Sequence, residues 1–444
     1  MSLMTDKQTL NDLNIFGKAG AEGIYSIFNR TFTRGGALLL EQMFRSPLSD
    51  VEEINNRSST IRFFAEGDIA FPFESAWFDA ADQYLQQTDS RTRLNAEDQT
   101  LARKFNQLIA SDTEFKNTEK GILHLLRLLQ ASHAFVKKML QQVEQEHFKQ
   151  QLHKIAAILE ADALMPVQQE SLKAKLPYAT LAKYDQLLRF RHREEMLKLL
   201  EVIYWIDVYA SVAKVAKERN YVFPEAKAKE EQVVILEDFY HPALTDPVVN
   251  TLEISPGGNI IFLTGANMAG KSTFMKSLGV AMYLAHMGFP VAASKMEFSV
   301  RDGIFTTINL PDNLRQGASH FYAEVLRVKQ VAQELSRDKY LFVIFDELFR
   351  GTNVKDAYEA TIAITKGVAR RNNCMFIVST HIMEAGEVLK EACKNIQFLY
   401  LPTHLDGTKP VYTHKLTKGI TADRHGMIII ENEGIIDMLR KAKQ

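Results

Sequence analysis

Apolar residues recur three and four positions apart along most of the first half of the chain, from about residue 15 to residue 223. This spacing, with many Glu, Lys, Gln and Leu residues and few glycines, predicts amphipathic helices. Two periodic runs, which begin at Gly121 and at Tyr178, are each about 40 residues long and correspond to helices of about 60 Å. Such lengths suggest levers or a coiled-coil-like pair joined near Met165, and a plain helical bundle is the alternative.

Short β-rich runs alternate with helical stretches in the second half of the chain. The runs NIIFLTG, YLFVIFDE and CMFIVST are almost continuously apolar, as expected of parallel strands that helices cover on both faces. The predicted fold is therefore an all-α domain over residues 1–228, followed by an α/β domain over residues 229–444.

The composition is that of a globular protein, with 46% apolar residues in a chain of 444. A net charge of −1 means that any contact with nucleic acid must come from local basic patches. The two cysteines lack the paired spacing of a zinc site, and neither a signal peptide nor a membrane-spanning run is predicted. A reducing, cytoplasmic location without a membrane partner is the simplest expectation.

The segment GANMAGKST meets the spacing G-x-x-x-x-G-K-S between a predicted strand and a predicted helix. Gly265 and Gly270 would let the backbone N–H groups wrap the phosphates of a nucleotide, Lys271 would reach the β and γ oxygens, and the Ser272 hydroxyl would bind Mg²⁺. Thr273 completes the motif. A glycine turn with a surface lysine is the alternative, and it leaves the flanking strand and helix without a reason.

Two acidic residues follow the next apolar run and distinguish a hydrolase from a kinase. Asp346, at the predicted strand end, is placed to hold Mg²⁺, and Glu347 can orient and deprotonate an attacking water. A small-molecule kinase has no use for that glutamate, although an acidic helix N-cap is an alternative interpretation of the pair. His381 follows the third apolar run and could contact the γ-phosphate, whereas lone histidines are often structural.

Taken together, the segments TGANMAGKST, GASHFYAEV, FDELFRGTN and STH resemble, in order and spacing, the ATPase domain of the MutS family of DNA mismatch-repair and related proteins. The stretch SIFNRTFTRGGALLLEQMFRSPLSDVEEINNRSSTIRFF is similar to the start of that family's core domain. The resemblance covers nearly the whole chain, and it implies an all-α core and lever domain followed by an ABC-type P-loop ATPase domain.

The resemblance also implies a homodimer in which each ATP site is completed by the other subunit. Ser319 matches the family's serine that is offered to the γ-phosphate of the partner, Asn267 matches an asparagine near the same phosphate, and His381 matches a switch histidine. Further matched positions are the interface loop Arg350, Gly351 and Thr352, and His414 near the nucleotide base.

Three departures from the family pattern limit what the resemblance implies. Val248 and Val249 stand where an aromatic contact to the base is common, so base stacking is expected to be weaker or supplied elsewhere. His320 and Tyr322 replace the usual Thr and Met of the signature block. The domain that recognises mismatches with a Phe-x-Glu wedge, and the connector after it, are expected to be absent, and the DNA clamp reduced or absent. The triplet that begins at Phe64 is interpreted as coincidence.

The motifs and the resemblance together imply a Mg²⁺-dependent ATPase that closes as a dimer on DNA or on a DNA-bound partner in repair or recombination, with other repair proteins as further candidate partners. The candidate basic residues for phosphate contact are Lys137, Lys138, Arg189, Arg191, His192 and Arg193, although nearby acidic residues favour a solvated face. The first alternative is a protein scaffold that ATP dimerises without DNA. A phosphotransferase is the second.

Overall fold

The computed structural model describes residues 2–17, 22–94, 111–172, 175–308, 320–406 and 409–421, and the single positions 435 and 438. Contacts divide the chain into two compact units. One comprises Met1–Phe28, Met43–Ser58 and Ala216–Gln444, and the other comprises Asn29–Gln42 and Ser59–Val215. The unit with the sheets thus includes two N-terminal segments that hydrophobic periodicity assigns to the helical domain. Periodicity reports which face of a helix is buried and carries no information about which core buries it.

The helices of the first half form where the apolar spacing predicts them. Their bounds are α1 (Lys7–Asp12), α2 (Ile24–Phe28), α3 (Arg34–Arg45), α4 (Val51–Glu66), α5 (Ala76–Gln86), α6 (Ser111–Leu140), α7 (Glu146–Leu159), α8 (Met165–Gln169), α9 (Tyr178–Asp185) and α10 (Arg193–Arg219). Helix α6 packs against α5 and α7 and buries Leu125, Leu126 and Leu129. The helical core is therefore built from the predicted apolar stripes.

The prediction of two uninterrupted helices of about 40 residues is wrong. The first run forms α6 and α7, and the connection over residues 141–145 buries Val143. The second run is broken by a π-helical turn, Gln186–Arg191, which separates α9 from α10. Neither break contains glycine or proline, so the local signals that usually mark a helix end or kink are missing from the sequence.

The second half contains the strands and the helices that cover them. The strands are β1 (Glu225–Lys227), β2 (Val234–Phe239), β3 (Asn250–Ile254), β4 (Ile260–Gly265), β5 (Lys295–Ser299), β6 (Gly303–Thr307), β7 (Leu341–Asp346), β8 (Met375–Ser379), β9 (Ile396–Leu401), β10 (Thr403–Asp406), β11 (Lys409–Tyr412) and β12 (Thr417–Lys418). The helices are α11 (Lys271–His286), α12 (His320–Leu335), α13 (Val354–Val368) and α14 (Met383–Ala392). All three predicted apolar strands are present, as β4, β7 and β8.

The largest sheet has six strands in the order β12-β9-β4-β8-β7-β6. Its strands β9, β4, β8, β7 and β6 run parallel, and β12 pairs with β9 in the antiparallel direction. A four-stranded sheet has the order β1-β5-β2-β3, and β10 and β11 form a hairpin. Because β4, β7 and β8 are adjacent and parallel, their carboxyl ends meet at one edge of the sheet, where ligands bind in open α/β folds.

The N-terminal segment is bound to the outer strand of this sheet. The Met4 carbonyl accepts a hydrogen bond from the Ile304 amide at 2.9 Å, which extends the sheet beyond β6. In α1 the Asp12 carboxylate accepts hydrogen bonds from the Thr306 hydroxyl at 2.8 Å and from the Ile308 amide at 2.9 Å. These contacts explain why the first residues belong to the unit with the sheets.

Within the described residues, every helix is too short or too polar to cross a membrane.

Candidate functional site

The loop between β4 and α11 brings a lysine back against its own backbone. Gly270, the residue before α11, has φ +104°, a conformation that L-residues with a side chain rarely adopt. Lys271 follows it and is 5% exposed. Its Nζ donates hydrogen bonds to the carbonyl oxygens of Gly265 at 2.9 Å and Ala266 at 3.3 Å. Burial lowers the pKa of Lys271, and the carboxylates of Glu347 and Asp346 oppose that shift.

The next residue of the loop contacts the acid at the end of β7. The Ser272 hydroxyl donates a hydrogen bond to Asp346 Oδ2 at 2.7 Å. Asp346 Oδ1 is buried and has no hydrogen-bond partner among the described residues. Burial raises the pKa of Asp346, and the hydrogen bond from Ser272 counteracts it. The Ser272 hydroxyl and the Asp346 carboxylate, with Oδ1 unsatisfied, therefore suit a hard cation such as Mg²⁺, which prefers oxygen ligands.

In the part of the chain that the structure describes, no three His, Cys, Asp or Glu side chains come together as a metal cage. Mg²⁺ that arrives with a nucleotide does not need such a cage, because phosphates and water complete its octahedron. The residues present therefore fit Mg²⁺ as part of a bound nucleotide.

Glu347 is surrounded by three basic side chains. His381 Nε2 lies 2.5 Å from Glu347 Oε1, Lys271 Nζ lies 3.8 Å from the same oxygen, and Arg350 lies 3.5 Å from Oε2. The hydrogen bond with His381 lowers the pKa of Glu347, burial opposes this shift, and the charges of Lys271 and Arg350 add to the lowering. The carboxylate is thus held in its charged form, which is the form that can accept a proton.

A cavity of about 310 Å³ lies beside the glycine loop. Its walls come from residues 239–250, from the glycine loop and the start of α11, and from His414 after β11. The lining residues are Phe239, Tyr240, His241, Leu244, Thr245, Asp246, Pro247, Val248, Asn250, Met268, Gly270, Thr273, Phe274, Ser277 and His414. His414 Nδ1 is 2.9 Å from the Ala269 carbonyl oxygen, so its ring lies against the loop.

The structure brings most of the predicted site residues to this edge of the sheet. Lys271, Ser272, Asp346, Glu347 and His381 are linked by the contacts above. Three more, Val248, Thr273 and His414, line the cavity beside them. Asn267 is exposed in the loop between Gly265 and Gly270. Ser319 lies outside the described residues.

The cavity wall contributed by residues 239–246 has no counterpart in the sequence prediction. The segment FYHPALTDP contains two prolines and is typical of an ordinary turn before a strand. Only its position after β2, facing the glycine loop, brings Tyr240, His241 and Leu244 to the cavity. The histidine is the one chemical signal that could have suggested a role.

The basic residues considered for DNA contact do not form one exposed set. Arg189 is 1% exposed and pairs with Asp185, so its guanidinium belongs neither to a solvated face nor to a phosphate contact. Lys137, Lys138 and Arg191 are exposed. Phe64 is buried against Phe148, with ring centroids 5.7 Å apart, which agrees with the interpretation of its triplet as coincidence.

These features define a protein with a helical unit and an α/β unit, whose parallel sheet carries a polar site beside a helix N-terminus and a cavity. The chain belongs to the MutS family. The family model for MutS domain III matches residues 8–213, and the model for MutS domain V matches residues 261–444.

Curated proteins similar to this chain carry the name DNA mismatch repair protein MutS. The protein from Streptococcus uberis is 29% identical over 285 residues, which cover 61% of this chain and 33% of that protein. The protein from Petrotoga mobilis is 30% identical over 272 residues, with 59% and 32% covered. The protein from Staphylococcus haemolyticus is 27% identical over 266 residues, with 57% and 30% covered. The chain spans about a third of the length of the curated relatives it matches.

Proposed function

We propose that this chain is an ATPase that hydrolyses ATP to ADP and phosphate with Mg²⁺. The observation that carries the proposal is the convergence of Lys271, Ser272, Asp346, Glu347 and His381 at the carboxyl edge of the parallel sheet. A glycine loop before a helix N-terminus favours a bound triphosphate, since free backbone N–H groups and the helix dipole both attract anions. Membership in the MutS family supports the same reaction.

In this proposal each side chain has a separate task. Lys271 exchanges its bonds to the Gly265 and Ala266 carbonyls for bonds to phosphate oxygens. Ser272 and Asp346 would hold Mg²⁺, which would supply positive charge to neutralise the phosphates. Glu347 accepts a proton from the attacking water. His381, in contact with Glu347, keeps that carboxylate oriented.

The proposal extends to assembly and partners. Ser319 of one subunit completes the site of the other in a homodimer, and Asn267 and Thr273 contact the nucleotide. The nucleotide base occupies the cavity between Val248 and His414. ATP binding closes the dimer on DNA or on a DNA-bound repair protein, and hydrolysis releases it. The names of the curated relatives support DNA as the partner. The two cysteines, unpaired within the described residues, support a cytoplasmic location.

A second candidate is a scaffold that ATP dimerises without direct contact to DNA. The burial of Arg189 in an ion pair favours it, because this removes one guanidinium from the candidate phosphate contacts. The net charge of −1 also provides no general attraction to DNA.

Two variants test the reaction. Lys271→Ala should weaken ATP binding roughly tenfold or more, because a charge-assisted hydrogen bond contributes about 1.5–3 kcal/mol. Glu347→Gln should retain ATP and lose about 10²–10⁴-fold in kcat, the range for a positioned general base. Lys390→Ala and Glu391→Gln, both at exposed positions of α14, are the matched controls. A wild-type chain that neither retains nor cleaves ATP, alone or with duplex DNA, would refute the proposal.

A DNA-binding experiment distinguishes a dimer that closes on DNA from a scaffold that does not contact DNA. Fluorescence anisotropy with homoduplex, mismatched and branched DNA, with and without ATP, should show affinity that falls as salt rises. The Glu347→Gln variant with ATP should sediment as a dimer in either case. Dimerisation without a salt-dependent DNA signal would support the scaffold.

A further inference from the structure

The first residue of β3 ties a distant segment to the sheet. Asn250 is 7% exposed, and its Nδ2 donates a hydrogen bond to the His414 carbonyl at 2.9 Å. Its Oδ1 accepts a hydrogen bond from the Leu416 amide at 2.7 Å. The neighbouring Lys415 donates from Nζ to the Val249 carbonyl at 2.8 Å. Three hydrogen bonds thus hold residues 414–416 to the first residue of β3 and to Val249 before it.

The held segment has a backbone conformation that needs such support. His414 has φ +53°, in the left-handed region that residues other than glycine adopt rarely. Its carbonyl accepts a hydrogen bond from the Asn250 carboxamide. Without the carboxamide of Asn250, the segment would lose two of the hydrogen bonds that hold it to β3, so this conformation and the direction of the ring would be less well supported.

The ring of His414 is directed at the glycine loop. Its Nδ1 is 2.9 Å from the Ala269 carbonyl oxygen, and a Cβ at Gly270 would also come within 2.9 Å of that nitrogen. The exposed side chains of Leu244, Val248 and Met268 line the same cavity. The cavity thus offers a histidine ring and exposed apolar side chains next to the glycine loop. Such groups can pack against the faces of a planar base.

We propose that Asn250 is a positioning residue for the nucleobase. Its carboxamide holds residues 414–416 against β3, and thereby sets the His414 ring as one wall of the cavity. This inference rests on the proposed ATP site. It assigns the base contact that Val248 and Val249 do not supply as aromatic rings to the His414 ring, which the buried amide of Asn250 holds in place. It predicts that loss of Asn250 weakens the recognition of the base and spares that of the phosphates.

The test compares two ligands that share the phosphate chain. Affinity for ATP and for inorganic tripolyphosphate is measured by competition with a fluorescent ATP analogue. Asn250→Ala should weaken ATP binding roughly tenfold, within the range for stacking a base on a ring. It should leave tripolyphosphate binding unchanged. Lys415→Met, at an exposed position, should shift the ratio in the same direction by a smaller factor.

The matched control is Asn259, a second buried asparagine of the same unit. Its Nδ2 donates to the Cys374 carbonyl at 2.7 Å, and its Oδ1 accepts from Asn395 at 2.7 Å. It precedes β4, at the opposite edge of the sheet from the glycine loop. Asn259→Ala should therefore lower thermal stability without changing the ratio of ATP to tripolyphosphate affinity.

A double-variant cycle shows whether Asn250 acts through His414. The loss in ATP affinity for Asn250→Ala and His414→Ala together should be clearly smaller than the sum of the single losses. Additive losses, or an unchanged affinity ratio in Asn250→Ala and Lys415→Met, would overturn the inference while leaving the ATPase proposal intact. A wild-type chain that does not bind ATP would instead remove the proposed function itself.

Discussion

The charge of Lys271 depends on its neighbour Glu347. Burial lowers the pKa of Lys271, and the Glu347 carboxylate 3.8 Å away raises it again. In the proposed site the lysine must be charged to bind phosphate. That charge is complete well below the pKa of Lys271 and is lost as pH rises through it. The acid therefore extends the pH range over which the lysine can bind an anion.

Glu347→Gln should move the alkaline loss of ATP affinity to lower pH. The neutral amide no longer raises the pKa of Lys271, so the lysine deprotonates earlier. The midpoint is read from ATP dissociation constants measured from about pH 8 upward, below the usual lysine pKa near 10.4. Glu391→Gln, at an exposed position, should leave the midpoint in place. A midpoint that stays or rises in Glu347→Gln would contradict this coupling.

Gly270→Ala should destabilise the chain and weaken ATP binding. The backbone at φ +104° would cost about 1–2 kcal/mol for a residue with a side chain, and the new Cβ would come within 2.9 Å of His414 Nδ1. Gly257→Ala is the control, because a Cβ there meets no atom within 4 Å. Thermal unfolding and ATP titration measure both effects. Equal stability and affinity in the two variants would show that the loop tolerates a side chain.

Helix α1 contributes to the sheet unit through buried polar contacts. Asp12 accepts hydrogen bonds from Thr306 and Ile308, and Asp6 forms an ion pair with Arg327 of α12. The N-terminal segment thus contacts the end of β6, the residue that follows it, and α12. Among the described residues, β6 has no partner strand from the second half of the chain on its outer side, so the N-terminal segment holds this edge of the sheet.

Asp12→Ala should lower the free energy of unfolding by about 1–3 kcal/mol, since buried donors lose their acceptor. Urea unfolding followed by circular dichroism measures the change. Asp89→Ala is the control, because within the described residues the Asp89 carboxylate bonds to its near neighbour, the exposed Arg91, and its loss should have a small effect. Equal midpoints for the two variants would show that α1 does not stabilise the sheet.

Arg189, in the π-helical turn between α9 and α10, forms a buried ion pair with Asp185, the last residue of α9. Arg189 donates to Asp185 Oδ2 at 2.8 Å and to the Thr92 carbonyl at 3.0 Å. Asp185 also accepts hydrogen bonds from the Tyr84 hydroxyl and the Leu94 amide. Through these contacts, Asp185 and Arg189 hold residues 84–94 in place within the helical unit.

Arg189→Met should destabilise the helical unit by about 3–5 kcal/mol, because Asp185 is left buried without its counter-charge. The double variant Asp185→Asn with Arg189→Met should recover part of that loss. Arg191→Met, at an exposed position, is the control. If Arg189→Met instead kept full stability and lost only DNA affinity, a phosphate contact would be the better explanation.

The chain consists of two units that do not follow one another simply along the sequence. Residues 1–28 and 43–58 share contacts with residues 216–444, and residues 59–215 form the other unit together with 29–42. Ligand binding stabilises what it contacts, in proportion to the logarithm of ligand concentration over the dissociation constant. Cooperative stability is shared within a unit.

Hydrogen exchange should show that the N-terminal segments respond to ATP together with the sheet unit. In Glu347→Gln with ATP and Mg²⁺, amides of residues 2–16 and 43–58 should gain protection in parallel with those of α11 and β7. Lys271→Ala is the control and should show a smaller gain at the same ATP concentration, because it binds ATP more weakly. N-terminal segments that exchange at an unchanged rate while α11 is protected would contradict this grouping.

Much of the site could be predicted from local sequence. The glycine loop is a spacing of backbone and side-chain groups within nine consecutive residues, and the positions of Asp346 and His381 follow from where apolar strands end. Adjacent parallel strands bring such ends to one edge. The helix breaks at residues 141–145 and 186–191 could not be predicted, because no residue type there marks them.

The sequence by itself determined the order of helical and α/β segments and the chemistry of the phosphate-loop residues, because both depend on spacings of a few residues. The tertiary structure alone decided that the N-terminus joins the sheet, that Arg189 is buried, and that Asn250 holds His414. The last two residues are 164 positions apart. Contacts over such separations depend on how the whole chain packs, and hydrophobic periodicity does not record which elements meet.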